Sequence, residues 1–215
     1  MFIEKLWEDP LHFIFWTVMV VFSVCVHELS HVYAALSQGD DTAARRGYLT
    51  LDPLKLMGIP SLIALAFIGI AWGAVPVTPS RFRQRYSHAL VSAAGPLANL
   101  ALAVVFALGT AFAYSRTGTQ EAAGLFTLFF FLGLQVNCML ALLNLLPIPM
   151  FDGWEVAALL VPALERIPPE TRQRGSWIAL MLLFLTPLSD YLWKTAFGLA
   201  ELLLRATTLV LPAAG

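Results

Sequence analysis

Charged residues are scarce in this sequence of 215 residues. They make up 13% of the chain, about half the usual share of a soluble domain, while 59% of the residues are hydrophobic. A water-soluble fold cannot bury so much apolar surface, so lipid is the expected solvent for much of the chain. The net charge is −1 and no dense lysine and arginine run occurs, so no nucleic-acid partner is expected.

Cysteine is also scarce, and no secretory signal is expected. The two cysteines, Cys25 and Cys138, lie in apolar stretches, so a disulfide scaffold is excluded. Residues 11–26 resemble the apolar core of a signal peptide, but the residues before them carry one lysine against three acidic groups. Because a signal peptide begins with a positively charged region, we interpret this stretch as a retained membrane helix.

Three apolar runs are each long enough to cross a bilayer, which takes about 20 helical residues. They predict membrane helices at 11–38, 88–114 and 122–146, the last two joined by a turn at 115–121. A fourth run, 59–77, contains prolines and glycines that suit a re-entrant or hairpin segment better than a straight helix. The predicted fold is an all-α polytopic membrane bundle.

The chain after the third span is interrupted by Pro147 and Pro149, which remove backbone donors and end the helix. The sequence then predicts a short helix at 154–166 and a charged loop at 167–174. A final apolar region, 176–211, is interrupted by Pro187 and Asp190. We expect one intramembrane domain over 1–215, without an inserted peptide-binding domain. Its core is 11–166, followed by the C-terminal helical region 176–211.

The most informative motif is His-Glu-Leu-Ser-His, which begins at His27 and ends at His31. Two histidines four residues apart lie on one face of a helix, so both imidazoles can reach one zinc ion. Glu28 between them can accept a proton from water that the metal activates. Such residues inside an apolar span face a cavity or a partner and mark function. Hydrogen-bonded structural histidines are the alternative, but packing alone does not require this triplet.

Asp152 is the best candidate for a third ligand, because catalytic zinc usually takes three protein ligands. It follows the proline-broken end of the third span, and unwound backbone at membrane depth is tolerated only beside protein or a wet cavity. An ordinary Asp-Gly turn at the membrane surface is the alternative. The upstream pair His27 and His31 favours the ligand.

Together, the two motifs resemble those of the site-2 protease family of intramembrane metalloproteases. That family combines HExxH with a later NxxPxxxxDG, and both motifs match here at every defined position, the second over 144–153. The segments 73–79 and 95–99 are also similar to those of small bacterial members. The resemblance covers about residues 20–155.

The resemblance implies one zinc ion per chain, held by His27, His31 and Asp152, with Glu28 as general base. It further implies that Asn144 hydrogen-bonds the substrate or the developing oxyanion. The implied reaction is hydrolysis of a peptide bond in or near a transmembrane segment. The implied partners are therefore a membrane-protein substrate and the lipid bilayer.

Asn99 shares one face of the second span with Ser92 and Gly95. Small residues on a shared stripe let membrane helices approach closely, so we expect a packing role for Ser92 and Gly95. Asn99 either hydrogen-bonds a neighbouring helix or binds the substrate in the site. His12 and His88 lie at the predicted membrane borders, and no metal role is expected for them.

Four charges in the last apolar region form a narrow stripe. At about 100° per residue, Asp190, Lys194, Glu201 and Arg205 fall within an arc of about 60° and make two oppositely charged i, i+4 pairs. A lipid-facing helix would not carry such a stripe. The helix therefore lies in the membrane interface or turns the stripe toward protein or water, and no metal or catalytic role is expected for the four residues.

The two motifs also predict a topology. Both lie near the C-terminal ends of their spans, so the two spans should run in the same direction to share one metal. Since 88–114 crosses once between them, 59–77 should enter the membrane and return on the same side. Arg81, Arg83 and Arg85 then lie on the side toward which the site opens, and the positive-inside rule makes that side the cytoplasm. We expect a protein of the bacterial cytoplasmic membrane.

Two other classes of function fit parts of the sequence. A non-catalytic zinc-binding membrane protein, either a metal carrier or a regulatory pseudoenzyme, needs the ligands but not the base Glu28. A membrane-embedded metalloenzyme acting on lipids is less favoured, because nothing in the sequence resembles a headgroup site. The sequence does not determine the substrate, its cleavage position or the oligomeric state.

Overall fold

The computed structural model describes residues 2–116 and 120–210, so parts of the predicted turn at 115–121 and residue 211 lie outside it. Within these ranges the fold is all-α, as predicted, with no β-strand. Its α-helices are α1 Lys5–Glu8, α2 Pro10–Ser37, α3 Thr42–Arg45, α4 Pro53–Leu56, α5 Gly58–Ile68, α6 Ser87–Arg116, α7 Gln120–Asn144, α8 Asp152–Leu160, α9 Pro169–Leu185 and α10 Leu188–Val210.

Three helices, α2, α6 and α7, are long and apolar enough to cross a membrane. Their candidate spans lie close to the predicted ones and cover Pro10–Ser37, Ser87–Tyr114 and Gly124–Asn144. The predicted polytopic membrane fold is therefore confirmed. The start of α2 is well defined, because the Asp9 carboxylate accepts a hydrogen bond of 3.1 Å from the backbone N–H of His12.

The three spans pack through small and apolar side chains. The ring of Phe130 on α7 lies against Gly109 of α6, and the ring of Phe106 on α6 lies against Gly133 of α7. Each glycine leaves space that an aromatic ring of the other helix fills, so the two backbones approach closely. Both cysteines are buried free thiols within this core.

The run at 59–77 forms the predicted hairpin instead of a fourth span. Its helix, α5, ends at Gly69, which has a left-handed φ of +83°. The chain then returns in extended form beside α5. The hydroxyl of Ser61 donates to the carbonyl oxygen of Trp72 (2.6 Å) and accepts from the N–H of the same residue (2.9 Å).

The end of this hairpin is fastened to the C-terminal end of α2. Asp40, which is 1% exposed, accepts hydrogen bonds from the N–H and hydroxyl of Thr42 and from the N–H of Thr78 (2.6 Å). Burial acts to raise the pKa of Asp40, but these hydrogen bonds outweigh it, and the pKa lies below its usual range. The N–H of Arg83 also donates to the carbonyl of Gln38 (3.0 Å). The hairpin therefore returns to the end of α2 that follows the histidine motif.

The C-terminal region differs from the prediction in one element. The predicted charged loop at 167–174 is wrong, because α9 begins at Pro169, where proline already has a helical φ and needs no backbone donor. The predicted helix at 154–166 is α8 followed by a 3₁₀ helix at Pro162–Arg166. The predicted interruption at Pro187 is confirmed: α9 and α10 meet there at a bend of 75°.

Candidate metal centre and active site

Three side chains able to bind a metal meet beside the C-terminal half of α2. His27 and His31 are one turn apart on α2, and their Nε2 atoms are 3.0 Å apart. Asp152, the first residue of α8, places its carboxylate oxygens 3.1 Å from Nε2 of His27 and 3.4 Å from Nε2 of His31. Among the residues that the structure describes, these three form the one cluster with metal-ligand atoms within 4.8 Å of one another.

The hydrogen bonds of the two imidazoles decide which nitrogen carries the proton. Nδ1 of His31 is 2.8 Å from the carbonyl oxygen of Val91, and a carbonyl can only accept, so this Nδ1 is protonated. Nδ1 of His27 is 2.6 Å from Oδ1 of Asn99, which is also an acceptor. In a neutral imidazole the second nitrogen then has no proton. Both Nε2 atoms therefore direct lone pairs toward each other and toward Asp152.

The orientation of Asn99 is itself determined by its neighbours. Its Nδ2 donates to Oδ1 of Asn137 (2.9 Å) and to the backbone carbonyl of Ser23 (3.4 Å). Nδ2 of Asn137 in turn donates to the hydroxyl of Ser23 (2.9 Å). All three side chains are 0% exposed, and we call them the polar layer. The polar layer joins α2, α6 and α7 and leaves Oδ1 of Asn99 facing His27.

The Nε2 lone pairs of His27 and His31 and the carboxylate of Asp152 repel one another unless a cation lies between them. Oδ2 of Asp152 is buried and receives no hydrogen bond from the described part of the chain. Two ligand atoms of a tetrahedral zinc site lie about 3.3 Å apart, close to the separations of 3.0 to 3.4 Å found here. Two imidazoles and one carboxylate are a usual ligand set of catalytic zinc, which keeps its fourth position open. The residues therefore fit zinc.

A cavity of about 240 Å³ opens in front of these three side chains. Glu28, the residue after His27, lines the cavity and is 7% exposed. The extended part of the hairpin forms another wall, through Gly73 and the residues that follow it. The carboxylate of Glu28 thus borders the space beside the metal ligands without belonging to their cluster.

Comparison with known proteins assigns the family. The profile of peptidase family M50 matches residues 111–188. The "Putative zinc metalloprotease YwhC" of Bacillus subtilis is 36% identical over 181 residues, which cover 82% of this chain and 83% of that protein. The chain belongs to peptidase family M50. The "Putative zinc metalloprotease Rip2" of Mycobacterium tuberculosis is 37% identical over 194 residues, covering 84% of this chain and 70% of that protein. No solved structure matches the chain.

Membership of the M50 family confirms the resemblance to site-2 proteases and makes the chain a zinc metalloprotease. The three apolar spans make this M50 protein an integral membrane protein. Its predicted zinc cofactor is confirmed by the names of its relatives, and the cluster of His27, His31 and Asp152 is the candidate zinc site.

Two glycines of the M50 protein contact the site in a way that the sequence does not predict. A Cβ atom on Gly95 would lie 2.5 Å from Nε2 of His27 and 2.6 Å from Nε2 of His31. A Cβ atom on Gly73 would lie 2.6 Å from Oε1 of Glu28. Any larger residue would displace His27, His31 or Glu28, so Gly95 does more than pack helices. Both glycines belong to segments that carry the family resemblance, which is the signal that marks them.

The two predicted asparagines lie on different sides of the metal ligands. Asn144, the last residue of α7, lines the cavity, and its Nδ2 donates to the carbonyl of Leu140 (3.0 Å). Asn99 lies behind His27 in the polar layer. Of the two roles predicted for Asn99, the hydrogen bond between helices is present, and substrate contact does not match its complete burial.

His88 lies at the helix border where it was predicted, and it also reaches the cavity. Its Nδ1 is 2.9 Å from Oε2 of Glu155 on α8. This hydrogen bond holds the pKa of Glu155 below its ordinary value, although burial opposes the shift. Glu155 lies one turn after Asp152, so the contact connects the cavity wall to the helix of the third ligand. The sequence gives no signal for this contact, because His88 and Glu155 are far apart in the chain.

Proposed function

We propose that this M50 protein is an intramembrane metalloprotease that hydrolyses a peptide bond in or near a transmembrane segment of a membrane protein. The observation that supports the proposal is the depth of the ligands. His27 and His31 belong to the span Pro10–Ser37 and are buried inside the bundle. A substrate therefore has to reach the cavity from within the membrane or from its edge.

The proposed mechanism divides the site into ligands and a base. His27, His31 and Asp152 hold the zinc ion, which when bound supplies Lewis-acid activation of water and of the scissile carbonyl. Glu28 accepts a proton from the attacking water on its carboxylate and then donates that proton to the leaving amine. We assign Asn144, on the cavity wall, to hydrogen bonding of the substrate or the developing oxyanion.

Glu28→Gln tests the mechanism. The amide keeps the size of the side chain but cannot accept a proton, so cleavage should fall by about 100-fold or more while zinc content stays at one per chain. Membrane proteomics of cells with the active protein or the variant would reveal substrates that accumulate uncleaved. Glu170→Gln, on the exposed first turn of α9, is the matched control and should remain active.

Full activity of Glu28→Gln would contradict the protease mechanism. Zinc binding without any cleavage in the unaltered protein would favour a metal carrier or regulatory protein. Release of a lipid fragment instead of a peptide would favour a lipid-directed enzyme.

We also propose that the cavity opens toward the cytoplasm. The support is the loop that carries Arg81, Arg83 and Arg85, which contacts the C-terminal end of α2 through a hydrogen bond of 2.5 Å between Arg81 and Asp41. Basic loops stay preferentially in the cytoplasm. Single cysteines at Asp41 and Ser80, in a background without Cys25 and Cys138, should both react with an impermeant thiol reagent from the cytoplasmic face. Reaction from opposite faces would contradict this topology.

A further inference from the structure

His88 is a polar residue of the cavity wall to which the metal ligands and the base leave no role. It is the second residue of α6, and its side chain is 41% exposed. Ser92, one turn farther along α6, lines the same cavity, and Gly95 after it lies against Nε2 of both histidine ligands. This face of α6 therefore forms a wall that leads from His88 at the start of the helix to the metal ligands.

The imidazole of His88 is held from the side of α8. Oε2 of Glu155 is 2.9 Å from Nδ1 of His88, and a carboxylate can only accept, so this Nδ1 carries a proton. Oε1 of the same carboxylate is 4.0 Å from the guanidinium of Arg172 on α9. Arg172 is fixed in turn, because it donates to the backbone carbonyls at 164, 165 and 167. With Nδ1 bound to Glu155, Nε2 is the ring nitrogen that remains for a molecule in the cavity.

The charges around His88 determine which kind of group can bind to Nε2. The ring of Phe82 lies 5.8 Å from that of His88, so the basic loop that contains Phe82 lies beside the imidazole. Two arginines of this loop, Arg83 and Arg85, are exposed and form no ion pair within the part of the chain that the structure describes. The carboxylate of Glu155 is already shared by two basic side chains. A basic substrate group would therefore be repelled here, and a carboxylate would be attracted.

We propose that His88 is a specificity-determining residue whose Nε2 donates a hydrogen bond to an acidic side chain of the substrate. In the imidazolium form both ring nitrogens are donors. One ring is then bound by the carboxylate of Glu155 at Nδ1 and by the carboxylate of the substrate at Nε2, and both hydrogen bonds are charge-assisted. This inference rests on the proposed peptide substrate and adds a residue preference to it.

The distance along α6 gives the position of the acidic residue in the substrate. Gly95, which lies against the ligand histidines, follows His88 by seven residues, about 10 Å along the helix axis. An extended peptide advances about 3.3 Å per residue, so a substrate that follows this wall covers the distance in about three residues. We therefore expect the acidic side chain about three residues from the scissile bond.

Short peptide hydroxamates test this preference without any cleavage. The hydroxamate group binds zinc through oxygen, and the third residue from it is Asp, Asn or Lys, in two series that extend from either side of the hydroxamate. Fluorescence anisotropy measures their affinities for the zinc-loaded protein in nanodiscs. In one series the Asp peptide should bind at least about tenfold more tightly than the Asn peptide, because a hydrogen bond to a charged group contributes more than a neutral one. The Lys peptide should bind most weakly.

Two amide variants separate Nε2 of His88 from the contact with Glu155. The side-chain nitrogen of asparagine corresponds in position to Nδ1 of histidine, and that of glutamine corresponds to Nε2. His88→Asn keeps a donor to Glu155, so it should bind the Asn peptide as before and lose the preference for the Asp peptide. His88→Gln should keep part of that preference. His12→Asn is the matched control and should bind like the unaltered protein, since His12 stacks on Trp16 at 6.2 Å, outside the cavity.

Equal affinity for the Asp and Asn peptides in both series would overturn the proposal, and so would an unchanged preference in His88→Asn. Equal weakening of all peptides by His88→Asn, at unchanged zinc content, would show a structural role through α8 and would also overturn it. If no hydroxamate bound the zinc-loaded protein, the peptide substrate on which the proposal rests would be contradicted as well. Binding without a preference therefore distinguishes failure of this inference from failure of the proposed function.

Discussion

The polar layer and the charged stripe place polar groups on apolar helices in opposite ways. In the polar layer, Ser23, Asn99 and Asn137 from three different spans are completely buried and satisfy one another. The stripe keeps four ionised groups on a single helix at the surface of the molecule. The first arrangement is buried between helices, and the second is exposed.

This comparison shows why a polar residue in an apolar segment has no single meaning. A neutral amide can be buried when each donor and acceptor has a partner, because the cost of burial is then offset. Ionised groups cost more to bury than neutral amides even when they are paired, so the four charges of the stripe stay at the surface. The polar layer therefore contacts His27 in the interior, whereas the stripe stays at the surface of the molecule.

The largest expected effect is that of Asp152→Ala, in the buried site that the polar layer adjoins. Asp152→Ala removes the carboxylate between two imidazole lone pairs, so zinc affinity should fall by more than the about 100-fold that loss of a supporting residue costs. Proteolysis should disappear with the metal. Zinc content by mass spectrometry checks this. Glu165→Ala, an exposed residue of the 3₁₀ helix after α8, is the control and should keep its zinc.

Asn99→Leu tests whether the polar layer acts on the metal through His27. The variant leaves Nδ1 of His27 without an acceptor, so the proton is free to move to Nε2 and block the ligand. Zinc affinity should fall by about 10- to 100-fold, measured by competition with a chelator. Asn99→Asp keeps an acceptor and should recover part of the affinity. A folded Asn99→Leu protein with unchanged affinity would contradict a positioning role.

Asp40 is ionised like the residues of the stripe, but it is buried and hydrogen-bonded like those of the polar layer. Asp40→Asn tests how much this buried charge stabilises the fold. An amide cannot accept all the hydrogen bonds from Thr42 and Thr78, so the variant should be less stable by about 2 kcal/mol at pH 7. Because folding lowers the pKa of Asp40, its stabilisation is complete above the unfolded pKa of about 3.9 and is lost as pH falls through the lower folded pKa.

Thermal unfolding between pH 3 and pH 7 measures this difference between the unaltered protein and Asp40→Asn. The difference between the two curves should shrink toward the acidic end. Asp41→Asn is the control, since Asp41 pairs with arginines at the surface and should cost at most about 1 kcal/mol. An equal loss of stability in both variants would show that buried Asp40 stabilises the fold no more than surface Asp41 does.

The smallest expected effect is that of the stripe on the metal. Replacing Asp190, Lys194, Glu201 and Arg205 together by neutral amides should leave zinc at one ion per chain, because the stripe lies on α10, away from the ligands. Elemental analysis of the purified variant measures this. Loss of stoichiometric zinc from a folded variant would show that stripe and site are coupled after all.

Much of the fold could be predicted from local sequence. Apolar length alone predicts the three spans, and the prolines and glycines of 59–77 predict a hairpin, because each property depends on neighbouring residues. The error at 167–174 has a local cause as well. Charged residues there resemble a loop, but the chain begins α9 at Pro169, and the charges occupy its exposed first turns.

The candidate site could likewise be predicted only in part. The sequence by itself determined the candidate metal-binding residues, because His27 and His31 share a helix face through their spacing and Asp152 follows a proline break. Only the tertiary structure decided which imidazole nitrogens are protonated, why Gly95 has no side chain and which residue His88 contacts. These properties depend on distances between residues far apart in the chain, and packing of α2, α6, α7 and α8 sets those distances.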